Sequence, residues 1–123
     1  MRMWLVKPKI MCRKHLLGEH VEIHMLIGAI LKGKSLKGYI HKNLIEIESI
    51  EERHQELVEE MLARGYKHNS PLPEIADIYQ GTFYLDYDIV YHKINKEESL
   101  TDLLSRCPEC KKRYNRIIVN FGG

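Results

Sequence analysis

The sequence predicts an all-α fold, with one domain of three principal helices joined by irregular loops. Three segments place apolar residues at helical spacing, and each is bounded by residues that are typical of helix ends. The chain has 123 residues and contains no internal repeat, low-complexity segment or long linker. We therefore expect residues 1–123 to form a single, mainly helical domain.

The first principal helix is expected from about Cys12 to Lys32, after a short extended segment that contains Pro8. Gly33 follows, with a lysine on either side. A glycine and basic side chains in these positions are typical of a helix carboxyl terminus. The residues from there to about position 46 form a connection with room for one helical turn.

The second helix begins at a capping-box pattern. Ser49 and Glu52 have the spacing at which each side chain can bond the backbone N–H of the other residue. Arg64 and Gly65 mark the end of the helix. The residues expected to face the core are Ile50, His54, Leu57, Val58 and Met61.

The third helix is expected to begin after Asn95, which stands three residues before a glutamate, and to reach about Arg106. Between the second and third helices, residues 66–95 carry no clear period. Within them, aromatic and acidic residues alternate from Thr82 to Tyr91, which fits an extended or an irregular segment. The inward residues of the third helix are expected to be Leu100, Leu103 and Leu104, and a basic tail follows from position 107.

Composition favours a globular protein inside the cell. Hydrophobic residues make up 44% of the chain, enough for a core. No apolar run reaches the roughly 18–20 residues of a membrane span, and no signal peptide is expected. Three cysteines are an odd number and a poor disulfide framework, which favours a reducing compartment.

The net charge of +2 hides three blocks of different sign. Residues 1–43 carry nine Lys and Arg against two acids, residues 44–103 carry five against fourteen, and residues 104–123 carry five against one. If the two basic ends meet in space, they form a positive surface that suits a polyanion such as nucleic acid. The alternative is an ordinary solvated surface with blocky charge.

The first helix contains an unusual run from His15 to His24, with three histidines and two glutamates. At 100° per residue, His15, Glu19 and Glu22 fall within an arc of roughly 60°. Burial and a neighbouring carboxylate are expected to raise the pKa of Glu22, which suits acid–base work or stabilisation of a positive intermediate. The alternative is a structural pairing with a basic residue of the N-terminal segment.

Two further patterns suggest metal ligands. His20 and His24 have the spacing of two ligands on one helix, but they lie on its apolar face and no third ligand is evident, so we interpret them as core histidines. Cys107 and Cys110 form a C-x-x-C knuckle, which we interpret as two reduced thiols. The alternative is a zinc site completed by two residues spaced in the same way, namely Cys12 and His15.

The residues Arg13–Glu22, with the pattern His-Leu-x-x-Glu-x-x-Glu, resemble the first helix of the pyrimidine-dimer DNA glycosylase (phage endonuclease V-like) family. The stretch Glu59–Tyr66 is similar to the second helix of that family and its Arg-Gly-aromatic end. The third helix near Glu98 and the following Pro108 stand in matching order. The similarity covers most of the chain and is weakest between residues 66 and 95.

The resemblance implies a compact helical enzyme that acts on duplex DNA without a metal or other cofactor. Enzymes of this family use the α-amine of the first residue, here Met1, to form a Schiff base at sugar C1′, and β-elimination then cuts the strand. The α-amine is a weaker base than a lysine side chain, so a useful fraction is neutral near pH 7. Glu22 corresponds to the family's catalytic carboxylate. Arg2 and His15 correspond to its arginine and histidine near the reacting sugar.

The chain departs from the family pattern where it grips DNA. Val21 and Met25 replace two arginines of the first helix, and Cys110-Lys111 stands in place of an aromatic pair. Arg2 also predicts that Met1 is retained. The residues that could supply phosphate contacts instead are Lys7, Lys9, Arg13, Lys14, Lys111, Lys112 and Arg113.

Taken together, these features predict a monomeric, cytoplasmic DNA glycosylase with AP-lyase activity, associated with the nucleoid. Its expected partner is double-stranded DNA that carries a damaged or abasic nucleotide, with no membrane involved. The alternatives are a non-catalytic nucleic-acid-binding module of the same fold and a zinc-stapled interaction domain.

Overall fold

The computed structural model describes residues 1–73 and 85–122, with side chains to position 119, and these residues are helical without a strand. The all-α prediction is therefore confirmed. Short 3-10 turns lie at Pro8–Ile10 and Ile47–Ser49. The helices are α1 (Arg13–Leu31), α2 (Lys37–His41), α3 (Ile50–Ala63), α4 (Tyr87–Val90), α5 (Lys96–Arg106) and α6 (Pro108–Gly122).

The three predicted helices correspond to α1, α3 and α5, with ends within about one residue of the prediction. Asn95 caps α5 by accepting a hydrogen bond from the backbone N–H of Glu98. The basic tail after position 107, for which the sequence indicated no element, forms a fourth long helix, α6. Pro108 opens it, in a position where the missing N–H costs no helical hydrogen bond.

The capping box predicted for α3 is wrong. Ser49 precedes the helix, but its side chain does not cap it, because its backbone already belongs to the turn Ile47–Ser49. The hydroxyl instead donates to a carboxylate oxygen of Glu46, and the other oxygen accepts the backbone N–H of Ile94 at 2.7 Å. Glu46 therefore ties this turn to the chain that enters α5.

The unassigned stretch before α5 is partly described. Residues 74–84, which include the start of the alternating segment from Thr82, lie outside the described residues. The end of that segment forms the single helical turn α4, with Ile89 buried.

The core lies between α1 and α3, and the N-terminal segment packs across it. Every residue of the stripe predicted for α3 is buried. From α1 the core receives Leu16, Ile23 and Leu26, and from α5 it receives Leu103, whereas Leu100 and Leu104 are half-buried against it. The apolar period therefore identified the buried faces of α3 and α5 correctly, whereas in α1 the predicted polar arc contains the buried Glu19.

Hydrogen bonds fix the N-terminal segment on this core. The backbone N–H of Met3 donates to the Leu44 carbonyl at 2.7 Å. The Trp4 carbonyl accepts from the Ser99 hydroxyl at 2.5 Å, and the Trp4 N–H donates to Glu19 at 3.0 Å. The first residues are thus held by α1, α5 and the α2–α3 connection together.

A buried ion pair joins α1 to α3 beneath this segment. The Nε and Nη2 atoms of Arg53 donate to the two carboxylate oxygens of Glu19 at 2.6 and 3.0 Å. The side chains are 2% and 0% exposed. The remaining Nη1 atom of Arg53 donates to the Val6 carbonyl at 2.6 Å, so one guanidinium holds both the helix and the N-terminal segment.

The two basic ends of the chain meet. Arg113 on α6 donates to the Lys9 carbonyl at 3.0 Å, and the Cys12 N–H donates to Cys110 Sγ at 3.2 Å. The turn at Pro8–Ile10 is also held by Arg64, which donates to the Met11 carbonyl at 2.8 Å. The described helices include none that is both long and apolar enough to cross a membrane.

We expect Arg53→Leu to lower the free energy of unfolding by about 3–5 kcal/mol, because the Glu19 carboxylate would stay buried without its guanidinium. Urea denaturation followed by circular dichroism measures this. Glu56→Gln is the matched control: Glu56 contacts Arg53 at 3.3 Å, but its side chain is 45% exposed. Its removal should cost no more than about 1 kcal/mol. Equal decreases in the two variants would contradict the importance given to the buried pair.

Candidate active site

The two glutamates of the arc on α1, Glu19 and Glu22, have different surroundings. Glu19 is 1% exposed and is fully engaged by Arg53 of α3 and by the Trp4 N–H, a structural pairing that the sequence did not indicate. Glu22, one turn further on, is half-buried and belongs to no ion pair described in the structure. Of the two, Glu22 is the carboxylate that can meet a ligand.

Glu22 lies beside the start of the chain. Burial raises the pKa of its carboxyl above the ordinary value, the positive charge of the Met1 amine lowers it, and the negative charge of Glu19 raises it. The backbone N–H of Arg2 hydrogen-bonds the carboxylate and also lowers its pKa. The structure thus brings Met1, Arg2 and Glu22 together, three of the residues predicted for the site.

The Trp4 ring links Arg2 to His15. The Arg2 guanidinium lies 3.6 Å from the centre of the Trp4 ring and pairs with Asp102 at 2.8 Å. The imidazole of His15 also contacts the indole edge-on, with ring centres 5.7 Å apart. Arg2 and His15 therefore lie around one buried aromatic ring next to the N-terminus. Neither Trp4 nor Asp102 was among the residues predicted for the site.

His15 also faces three thiols. Its Nδ1 atom lies 3.2 Å from Cys12 Sγ and 3.8 Å from Cys110 Sγ, and Cys12 Sγ lies 3.8 Å from Cys107 Sγ. Burial lowers the pKa of His15, with a smaller contribution from the positive charge of Lys14. All three cysteines are free thiols. The four residues named by the zinc alternative are thus gathered in one place.

Of the other predicted DNA contacts, Lys7 and Lys9 are exposed at the turn before α1, and the rest lie near the amino-terminal ends of α1 and α6. Lys14, Lys111 and Lys112 are exposed. Arg13 reaches over the ring of Tyr66 at 5.3 Å, and Arg113 uses its Nε atom on the Lys9 carbonyl. Because α6 contacts the turn that precedes α1, the helix starts that carry these basic residues lie close together.

A cleft of about 410 Å³ adjoins Met1. It is lined by Met25 and Gly28 of α1 and by two lysines, Lys32 and Lys34, after the end of that helix. The sequence indicated these lysines only as part of a helix end. A larger concavity of about 790 Å³ lies along α3 and residues 68–73, but five glutamate and glutamine side chains line it, which suits a phosphate poorly.

The histidines of α1 have partners that the sequence did not reveal. His20 Nε2 lies 3.1 Å from His54 Nε2 of α3 and 3.1 Å from His68 Nε2. His24 joins them with its ring centre 4.9 Å from that of His20, and its buried Nε2 has no hydrogen-bond partner in the described structure. His20 is buried as predicted, whereas His24 is half-buried, and His54 and His68 supply the further possible ligands that the sequence did not make evident. Burial, together with the smaller effect of the three neighbouring imidazoles, lowers the pKa of His20 to about 4.

Residues 1–74 match the family model for pyrimidine dimer DNA glycosylase. The matched region contains Met1, Arg2, His15 and Glu22. No curated protein matches the chain, and no solved structure matches it. Because the match spans more than half of the 123 residues, the chain belongs to the pyrimidine dimer DNA glycosylase family.

Proposed function

We propose that this protein is a DNA glycosylase with AP-lyase activity on duplex DNA that carries a damaged or abasic nucleotide. Met1 supplies the nucleophilic α-amine, and Glu22 supplies the carboxylate. The observation that carries the proposal is that the Met1 amine and the Arg2 N–H lie beside a half-buried Glu22 carboxylate in a chain of this family.

The chemistry follows from an amine beside a carboxylate. The neutral α-amine attacks sugar C1′, and the C1′–N bond to the base breaks as the base leaves with the electron pair and gains a proton. The nitrogen, which has lost one proton, then forms a double bond to C1′ as the C1′–O4′ bond breaks and O4′ gains a proton, and this gives a protonated imine at C1′. Removal of a C2′ proton then expels the 3′ phosphate and cuts the strand, and water releases the enzyme from the imine.

Glu22 meets two requirements of this sequence. A carboxylate next to C1′ stabilises the cationic sugar and the protonated imine, and such stabilisation is greatest where water is excluded. A carboxyl whose pKa is raised by burial can also move protons closer to neutral pH than an exposed glutamate can. Met1 and Glu22 are positioned for these roles by segments that the buried pair of Glu19 and Arg53 holds together.

Arg2 and His15 are proposed to contact the DNA near the reacting sugar. Arg2 is held by Trp4 and Asp102, so its guanidinium enters a complex with little loss of conformational freedom. His15 presents Nδ1 to the thiols, which leaves its other ring nitrogen for a phosphate or sugar oxygen.

The duplex is proposed to lie across the side formed by the first turns of α1 and α6. The basic residues there supply phosphate contacts, which position the protein and do not read sequence. The cleft beside Met1, with Lys32 and Lys34, offers space for an extrahelical nucleotide whose C1′ must reach the amine. Arg13, Lys14, Lys111, Lys112 and Arg113 are the proposed phosphate contacts.

The proposal does not specify the lesion, because two residues of α1 differ from the family pattern. Val21 and Met25 are 55% and 56% exposed, in the positions where the family resemblance implies DNA-gripping arginines. Their apolar side chains cannot bond phosphate or a base edge. We therefore propose that this protein shares the lyase chemistry of its family but not necessarily its lesion, and abasic DNA is the substrate that tests this chemistry.

Blocking the α-amine is expected to abolish cleavage of abasic duplex DNA and to leave binding within about twofold. An acetylated N-terminus cannot form an imine, whereas the basic surface is unchanged. Strand cleavage is followed on gels and binding by fluorescence anisotropy, with chain starts verified by mass spectrometry.

The matched control is the same protein acetylated on exposed lysines while the α-amine stays free. It should keep cleavage and bind DNA more weakly. Undiminished cleavage by the amine-blocked protein would contradict the proposed nucleophile, and binding without cleavage by the native protein would favour a non-catalytic binding module.

Glu22→Gln is expected to keep DNA binding and to lower the cleavage rate at least about 100-fold, because the amide has a similar shape but cannot carry the negative charge that stabilises the cation. Single-turnover cleavage of abasic DNA measures this. Glu51→Gln, an exposed change on α3, is the control and should cleave at the native rate. A near-native rate for Glu22→Gln would show that another group acts as the carboxylate.

Lys14→Ala with Lys111→Ala is expected to reduce the dependence of binding on salt. For each phosphate that the protein no longer neutralises, the slope of log K against log salt becomes shallower by about 0.9. Anisotropy titrations at several salt concentrations measure the slope. The control, Lys42→Ala, removes an exposed lysine at the end of α2 and should leave the slope unchanged. An unchanged slope in the double variant would place the duplex on another surface.

A further inference from the structure

We propose that Cys12, His15, Cys107 and Cys110 bind a structural zinc ion. Their four ligand atoms lie within 4.8 Å of one another. The set of three thiolates and one imidazole is a common donor set for structural zinc. The family match covers only the first pair of these residues and assigns no metal to either pair.

The distances between the ligand atoms agree with a tetrahedral ion. Zn–S bonds of about 2.3 Å and Zn–N bonds of about 2.0 Å place two sulfurs roughly 3.8 Å apart and a sulfur and a nitrogen roughly 3.5 Å apart. The two sulfurs of Cys12 and Cys107 are 3.8 Å apart. The two distances from His15 Nδ1 to sulfur are 3.2 and 3.8 Å.

The backbone around the thiols is arranged for negative sulfurs. The N–H of His15 donates to Cys12 Sγ at 3.5 Å, and the N–H of Cys110 donates to Cys107 Sγ at 3.4 Å. The N–H of Cys12 donates to Cys110 Sγ at 3.2 Å. Each of the three sulfurs thus accepts a backbone N–H, the support that metal-bound thiolates receive from their surroundings.

The site would join the two ends of the chain. Cys12 caps α1 and His15 lies in its first turn, whereas Cys107 lies between α5 and α6 and Cys110 lies in the first turn of α6. One ion would therefore fix the two helix starts that carry the proposed phosphate contacts. It would also fix the His15 ring against Trp4.

We propose a second metal site in the cluster of four histidines, and this proposal rests on a separate observation. The cluster consists of His20, His24, His54 and His68. A neutral imidazole Nε2 either donates one hydrogen or accepts one, yet His20 Nε2 faces both His54 Nε2 and His68 Nε2 at 3.1 Å. His24 Nε2 is buried without a partner in the described structure. A cation among the four nitrogens would satisfy all of them.

The geometry of this cluster also fits a tetrahedral ion. Zn–N bonds of about 2.0 Å place neighbouring nitrogens roughly 3.3 Å apart, close to the 3.1 Å observed. Imidazole ligands suit zinc, copper and nickel, and zinc is the ion to test first. Such an ion would cross-link α1 to α3 and to the segment that contains His68. The cysteine site includes His15, a proposed DNA contact, but neither metal site contains Met1 or Glu22. Metal content can therefore be tested separately from the lyase reaction.

The first test is metal content of tag-free protein expressed in zinc-supplemented medium. By inductively coupled plasma mass spectrometry, we expect two zinc ions per chain in the native protein. The variants Cys107→Ser and His68→Gln should each contain one zinc ion per chain. The control His41→Gln, an exposed histidine of α2, should keep two. Native protein without zinc, before and after refolding with zinc, would overturn both sites, and a disulfide in the intact mass would overturn the cysteine site.

Cobalt substitution distinguishes the two sites without relying on a variant that folds poorly. Native protein treated with a chelator and then titrated with Co²⁺ should develop thiolate-to-cobalt charge-transfer absorption as the cysteine site fills. A second equivalent of Co²⁺ should bind at the histidine site without adding to this absorption. His68→Gln should keep the charge-transfer band, and Cys107→Ser should lose it. Titration of native protein without the band would overturn the cysteine site, and saturation at one equivalent with the band would overturn the histidine site.

Discussion

The buried pair of Glu19 and Arg53 is the interaction on which the rest of the structure depends. A single guanidinium bonds a carboxylate of α1 and the Val6 carbonyl, while the same carboxylate accepts the Trp4 N–H. Buried charges of this kind are tolerated only when their hydrogen bonds are complete, and these are shared among three segments. The pair therefore determines where the first residues lie. The first residues, in turn, bring the α-amine to Glu22.

Around this pair, the site is assembled from parts with different tasks. Trp4 contacts both Arg2 and His15. The arc of α1 holds the structural Glu19 and the proposed catalytic Glu22, and the start of α6 meets the turn before α1. The two proposed metal sites lie on either side of α1 and join it to α6 and α3. They would give a small core additional long-range links without taking part in the amine chemistry.

Much of this fold follows from local sequence, because residue patterns mark the ends of α1, α3 and α5, and the apolar period of α3 and α5 determines which of their faces is buried. The non-local contacts do not follow from it. His54 and His68 are 34 and 48 residues from His20 in the sequence. No local pattern therefore predicts that their side chains meet that of His20. Arg53 did leave a signal, since an arginine within the apolar stripe of α3 requires a buried carboxylate. Ser49 misled the prediction because a preceding 3-10 turn, itself a tertiary feature, fixed its backbone.

The central claim is that the chain's own α-amine forms the covalent bond to DNA. Borohydride reduction of the protein with abasic duplex DNA, followed by proteolysis and peptide mass spectrometry, locates that bond directly. The account predicts a stable DNA adduct on the peptide that contains Met1, carried by its amine. An adduct on a lysine of any other peptide, or no adduct on protein with a free Met1 amine, would contradict it.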